Sequence, residues 1–62
     1  MIIYQWQQPD ARIIALRAER ATLIEYMRNK LAGEDWHGVA DAANDLREID
    51  RELAVLNRVT AS

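Results

Sequence analysis

Apolar side chains recur at three- and four-residue steps over most of this chain. Ile13, Leu16, Leu23, Ile24, Met27 and Leu31 form one series, and Val39, Ala42, Leu46, Ile49, Leu53 and Leu56 form a second. That period lines each series along one side of an α-helix, and the second is a regular a/d heptad pattern. Pro9 suits the first helical position, where its missing N–H costs nothing, and Asp10 complements the positive helix end that follows. Gly33 is a natural stop for this helix, and Asp35 is placed to cap the next. The pattern predicts helices over residues 9–32 and 35–58, each roughly 35 Å long at a rise of about 1.5 Å per residue. A link this short makes them antiparallel. The expected fold class is all-α: one helical-hairpin domain over residues 1–62, with a short extended apolar leader at its start.

A turn centred near residue 35 sets Leu31 against Val39, Met27 against Ala43, Ile24 against Leu46 and Ile13 against Asn57. The same rule sets Arg20 opposite Asp50, each the charged interruption of its own apolar stripe. Paired, the two would fix the register even while adding little net stability. Unpaired, they would run separately to water along their own stems.

Helix 1 carries a second face, made of Ala11, Ala15, Ala18, Thr22 and Tyr26. Solvated helix faces are normally charged, and helix 2 obeys with His37, Asp41, Asn44, Glu48, Arg51 and Glu52 pointing outward. A seam of small residues lets another helix approach closely, so this face predicts a homodimer, a four-helix bundle with helix 1 at its centre. The plainer reading is that the alanines serve helix propensity alone. Size favours the dimer. A chain of about sixty residues buries only about 60% of the surface its unfolded form exposes, and such chains usually need a disulfide, a metal or a partner. With no cysteine and one histidine, disulfides and a thiolate metal site are excluded and a zinc site within one chain is disfavoured. Self-association is the staple that remains.

Charge sharpens this picture. Residues 9–32 hold five basic against three acidic side chains, whereas residues 34–58 hold three against seven. Opposite signs favour pairing the two helices. A net charge of −2 argues against indiscriminate nucleic-acid binding. No apolar run approaches the roughly 20 residues that span a bilayer, and the opening residues are too polar for a signal peptide. The expectation is a cytoplasmic protein with no membrane partner, which the lack of cysteine fits.

Candidate chemistry gathers at the link and at the leader. His37 and Asp41 stand four apart on one exposed face, with Asp45 a further turn along. Such a set can ligate a metal or exchange protons, or it can simply be solvated. A histidine near a helix N-terminus is disfavoured as imidazolium, which suits a neutral hydrogen-bonding role. Trp36 can plug the bundle end over Leu31, or it can border a shallow groove. Gly38, Ala42 and Ala43 make this end of helix 2 slim enough to pack closely against Met27. In the leader, Ile2, Tyr4 and Trp6 alternate with Ile3, Gln5 and Gln7 in a strand-like period. The leader either adds a strand to a partner or folds back to cap the bundle. No phosphate loop, nucleophile–base set or zinc-ligand spacing is present, so neither enzymatic activity nor a cofactor is expected.

The run DWHGVADAANDLREIDREL, with the preceding RAERATLIEYMRNKLAGE, looks like small uncharacterised proteins encoded by phages and prophages. The likeness covers residues 12–56 and carries no established activity. Phage proteins of this size are often inhibitors of host or defence proteins, or sponges for signalling nucleotides. In size and plan the chain is also similar to the plasmid RNA-binding helical-hairpin dimer, although here the alanine face occupies the stretch that grips RNA there. Its strand–helix–helix order is similar to that of ribbon–helix–helix repressors, whose strand is polar where this leader is apolar. The resulting expectation is a non-enzymatic homo-oligomer that binds another protein through Ile2, Tyr4, Trp6, Trp36, His37, Asp41 and Asp45. Two other readings stand beside it. A small anionic nucleotide could lie near Trp36 against Arg28 or Lys30, or RNA could bind the arginines of helix 1.

Overall fold

In a computed structural model that describes residues 9–61, helix α1 spans Pro9–Ala32 and helix α2 spans Trp36–Ala61, packed antiparallel as a hairpin. The expected leader, Met1–Gln8, lies outside the described residues. Helix α2 runs three residues past the expected end at 58. No glycine or proline stops it there, and Arg58 in the last turn complements the negative helix end.

The link is built from two interlocking caps. The Glu34 N–H donates to the Leu31 carbonyl at 3.0 Å, and the Asp35 N–H donates to the Lys30 carbonyl at 2.8 Å. This pair of bonds is a Schellman turn, which satisfies the orphan carbonyls at the end of α1. Its left-handed residue is Glu34, at φ 57°, and not Gly33 as the sequence suggests. Gly33 stops nothing by its conformation, because its φ is not positive. It still donates to the Asn29 carbonyl at 3.2 Å, as any residue completing the last turn would. Asp35 then starts α2. Its carbonyl accepts from the Val39 N–H at 3.0 Å, and its carboxylate accepts from the Gly38 N–H at 3.1 Å, as a side-chain N-cap does.

Between the helices the core is thin. Among the described residues, Leu16, Ala42 and Ile49 are its buried apolar members, and only Leu16 among the large side chains is fully enclosed. Ile13, Leu23, Ile24 and Met27 of α1, with Val39, Ala43, Leu46, Leu53 and Leu56 of α2, flank them half-buried. The expected pair of charged interruptions forms, with Arg20 Nε 2.7 Å from Asp50 Oδ1. A second bridge crosses the other edge, where Arg12 donates through Nε and a terminal nitrogen to both oxygens of Glu52, at 2.8 and 3.2 Å. Glu52 therefore turns inward to Arg12 and does not join the outward face expected for it.

A further expectation fails at the closed end of the hairpin. Leu31 is 52% exposed and does not meet Val39 in a sealed core. Gly38 is buried, and the Lys30 stem lies over it, with Cγ and Cδ that would stand 2.8 and 2.9 Å from an added Cβ. The Lys30 stem covers Gly38 in the last turn of α1, and Leu31 beside it stays open to solvent.

Candidate functional site

At the corner, Lys30 organises several neighbours. Its stem lies over Gly38, while its ammonium stands 3.6 Å from Asp35 Oδ2 and 5.2 Å from the centre of the Tyr26 ring, within cation–π reach. The Asp35 carboxyl is held below its ordinary pKa, first by the bond from the Gly38 N–H and then by the charge of Lys30. The corner is thus a structural lock whose cation and carboxylate satisfy one another.

Trp36 and His37 begin α2 just beyond that lock. Trp36 is 62% exposed, so it does not plug the bundle end over Leu31. The Lys30 stem, and not the indole, lies over Gly38 at this end. His37 Nε2 lies 3.4 Å from Asp41 Oδ2, and both side chains are exposed. Asp45, one turn on, is exposed as well. Among the described residues no group of three His, Cys, Asp or Glu side chains converges to hold a metal ion. What the corner offers is a surface, with an indole, an exposed leucine and a histidine–aspartate pair close together in the chain. Ile2, Tyr4 and Trp6 lie outside the described residues.

The cations considered for a nucleotide are already engaged. Arg28 lies 3.3 Å from Glu25, and Lys30 is held by Asp35. An open groove instead follows one flank of the hairpin, floored by Ile24 and Leu53, with Arg17, Arg20, Asp50 and Asn57 along its walls. Asp50 neutralises Arg20 there, which leaves Arg17 as the groove's cation without an ion-pair partner among the described residues.

The outer face of α1 is also open among the described residues. Ala11, Ala15, Ala18, Thr22 and Tyr26 are all exposed, as the sequence pattern leads one to expect. The Thr22 hydroxyl donates back to the Ala18 carbonyl at 3.2 Å, so its polar atom is satisfied within the helix. Sequence reasoning missed Ile14, which is 70% exposed on this face. Its signal was legible, since it stands three residues after Ala11 and four before Ala18. Arg12 and Glu52 were missed for another reason. The rule pairing opposite backbone positions ignores long side chains, which reach more than a turn along the neighbouring helix.

Among the described residues no helix is long and apolar enough to cross a membrane. Compared with protein-family models, with curated proteins and with solved structures, the chain matches none.

Proposed function

We propose that this chain is a non-enzymatic interaction protein that self-associates through the outer face of α1 and offers its hairpin corner to a second protein. The observation that carries the reading is the exposed face of α1 from Ala11 to Thr22. It holds Ala11, Ile14, Ala15, Ala18, Ala21 and Thr22 and no charged side chain, with Ile14 left 70% exposed. The outer side of α2 is built in the ordinary way, from Asn44, Glu48 and Arg51. A core with three buried apolar residues among those described is too small to hold two long helices firmly by itself, and covering α1 would bury further apolar surface.

The corner supplies what a protein contact needs, an exposed indole as anchor beside Leu31 and the His37–Asp41 pair. An RNA-binding role draws less support, because Arg12, Arg20, Arg28 and Lys30 each sit on a carboxylate. Sedimentation at micromolar concentration tests the reading. A dimer or larger species is expected, and Ala15→Glu with Ala18→Glu should return it to a helical monomer. A wild-type chain that stays monomeric at high concentration and is stable without a partner would defeat the proposal.

A further inference from the structure

Resting on the reading that the corner meets a second protein, we infer that this partner docks as an acidic amphipathic helix, laid in the groove between α1 and α2 with one end against Trp36. The groove is floored by Ile24 and Leu53 and shouldered by Ala21 and Ala54, whose short side chains let a third helix approach closely. The apolar line continues beyond it toward the corner. Leu31 follows Ile24 by seven residues, which at about 100° per residue leaves it within about 20° of the same line. Trp36 precedes Ala54 by eighteen residues, about five whole turns, and so stands on the same side of α2. Both are open to solvent, Leu31 at 52% and Trp36 at 62%. Groove and corner thus form one strip, which runs about 21 Å along α1 from Arg17 to Leu31 at about 1.5 Å per residue. A helix of about four turns matches that length.

Charge selects the kind of helix. Arg17 and Arg20 line the groove, and Asp50 is the one carboxylate that lines it with them. Arg28 stands about three turns beyond Arg17 and Arg47 about two turns before Ala54, each rotated only about 20° from those residues. The strip therefore carries four arginines. Asp50 neutralises Arg20, and Arg28 holds Glu25, at the outer margin, only in an exposed pair at 3.3 Å, which is worth little. Arg17 and Arg47 are exposed and have no ion-pair partner among the described residues. They stand on opposite walls, one on α1 and the other on α2. The strip is thus basic in a chain whose net charge is −2. Its complement is a helix with one apolar stripe bordered on both sides by carboxylates. Nucleic acid fits less well, because its dense line of phosphates asks for a run of free cations, whereas this flank sets two of them across an apolar floor.

The probe is an end-blocked synthetic peptide of about sixteen residues, with leucine at heptad positions a and d, glutamate beside them and no tryptophan. Its controls carry lysine in place of glutamate, or the same composition in shuffled order. Binding is read by calorimetry, and Trp6→Phe leaves Trp36 as the chain's single tryptophan, so its emission reports cover at the corner. We expect the glutamate peptide to bind at micromolar concentration and shift Trp36 emission to the blue, with both controls at least tenfold weaker. Arg17→Glu with Arg47→Glu changes two exposed side chains and should leave the circular dichroism unchanged. It should weaken the glutamate peptide at least tenfold and strengthen the lysine one. Equal binding of the shuffled peptide, no binding of the glutamate peptide, or binding that ignores the double reversal would overturn the inference. So would capture of a single-stranded RNA oligonucleotide where the peptide is not captured. Binding that is lost in Trp36→Ala but ignores both arginines would keep the corner as a protein contact and remove the groove. Self-association is read separately by sedimentation, so a monomer that binds the glutamate peptide would fail that part of the reading and leave this inference standing.

Discussion

The two helices are nearly equal in length, 24 and 26 residues, yet they use their apolar residues differently. Helix α2 gathers most of them on the side facing α1 and most of its charge on the other, leaving Trp36, Val55 and Val59 exposed. Helix α1 distributes them around its circumference, with Leu16 enclosed and Ile14 in the open. A helix with one apolar side needs one neighbour, and α2 has it. One that is apolar on two sides keeps one of them uncovered within its own chain, as α1 does with Ile14. The contrast also separates fold from assembly. Substitutions on the shared seam should unfold the hairpin, those on the outer face of α1 should only separate copies, and those on the outer face of α2 should do neither.

The strongest break is Leu16→Ala, which removes the one large side chain that is fully enclosed among the described residues. A loss of about 2–5 kcal/mol is expected for such a truncation, a large share of what a small domain possesses. Thermal melts followed by circular dichroism should show the helices largely lost. Next comes Ala15→Glu with Ala18→Glu, which should weaken self-association at least tenfold by sedimentation while helicity persists. The matched pair on α2, Asn44→Glu with Arg51→Glu, should leave the association constant within about twofold.

At the link the expected effects are smaller and depend on pH. The folded pKa values of Asp35 and Glu52 are lowered, the first by the bond from the Gly38 N–H and the second by its bond from Arg12. Groups of this kind stabilise the fold while ionised, and that contribution is lost as pH falls through the lowered value. Stability should therefore be level above about pH 5 and decline below the ordinary values of 3.8 and 4.5. Asp35→Ala should lower the melting temperature by several degrees at neutral pH through the missing cap. Asp35→Asn keeps a capping oxygen and should instead flatten part of the acid decline. A decline of unchanged steepness in that variant would show that Asp35 does not drive it. The smallest effect belongs to the turn. Glu34→Gly removes a left-handed conformation from a residue with a side chain and should stabilise by about 1 kcal/mol. Gly33→Ala, whose new Cβ would meet nothing nearer than 3.8 Å, should add about 0.4–1 kcal/mol. The reverse ranking of these two would mean that the glycine, after all, carries the strain.

Much of the hairpin was legible because its signals are positional. Period marks the two stripes, Pro9 and Asp35 punctuate them, and Arg20 with Asp50 betray each other as matching interruptions. The exposed alanine face was legible in the same way. What escaped depends on how far flexible side chains travel. Lys30 arches over Gly38 and takes the place assigned to Leu31 and Trp36, and Arg12 reaches Glu52 obliquely. A reading by position sees lysine as a surface residue and tryptophan as a plug, whereas the corner inverts these roles. The left-handed turn residue escaped because glycine stands one place too early, and local hydrogen bonding overrode the usual preference.

One residue, Asp35, closes α1 with its N–H and opens α2 with its carboxylate. Neither helix can unwind at the corner without releasing the other, and the link cannot straighten into one continuous rod while both bonds hold. Hairpins with short links are often prone to helix exchange between molecules, the low-cost route to entangled dimers. The shared residue opposes that route, so under the proposed self-association copies would meet as closed units, and the contact could be made and undone without refolding either one.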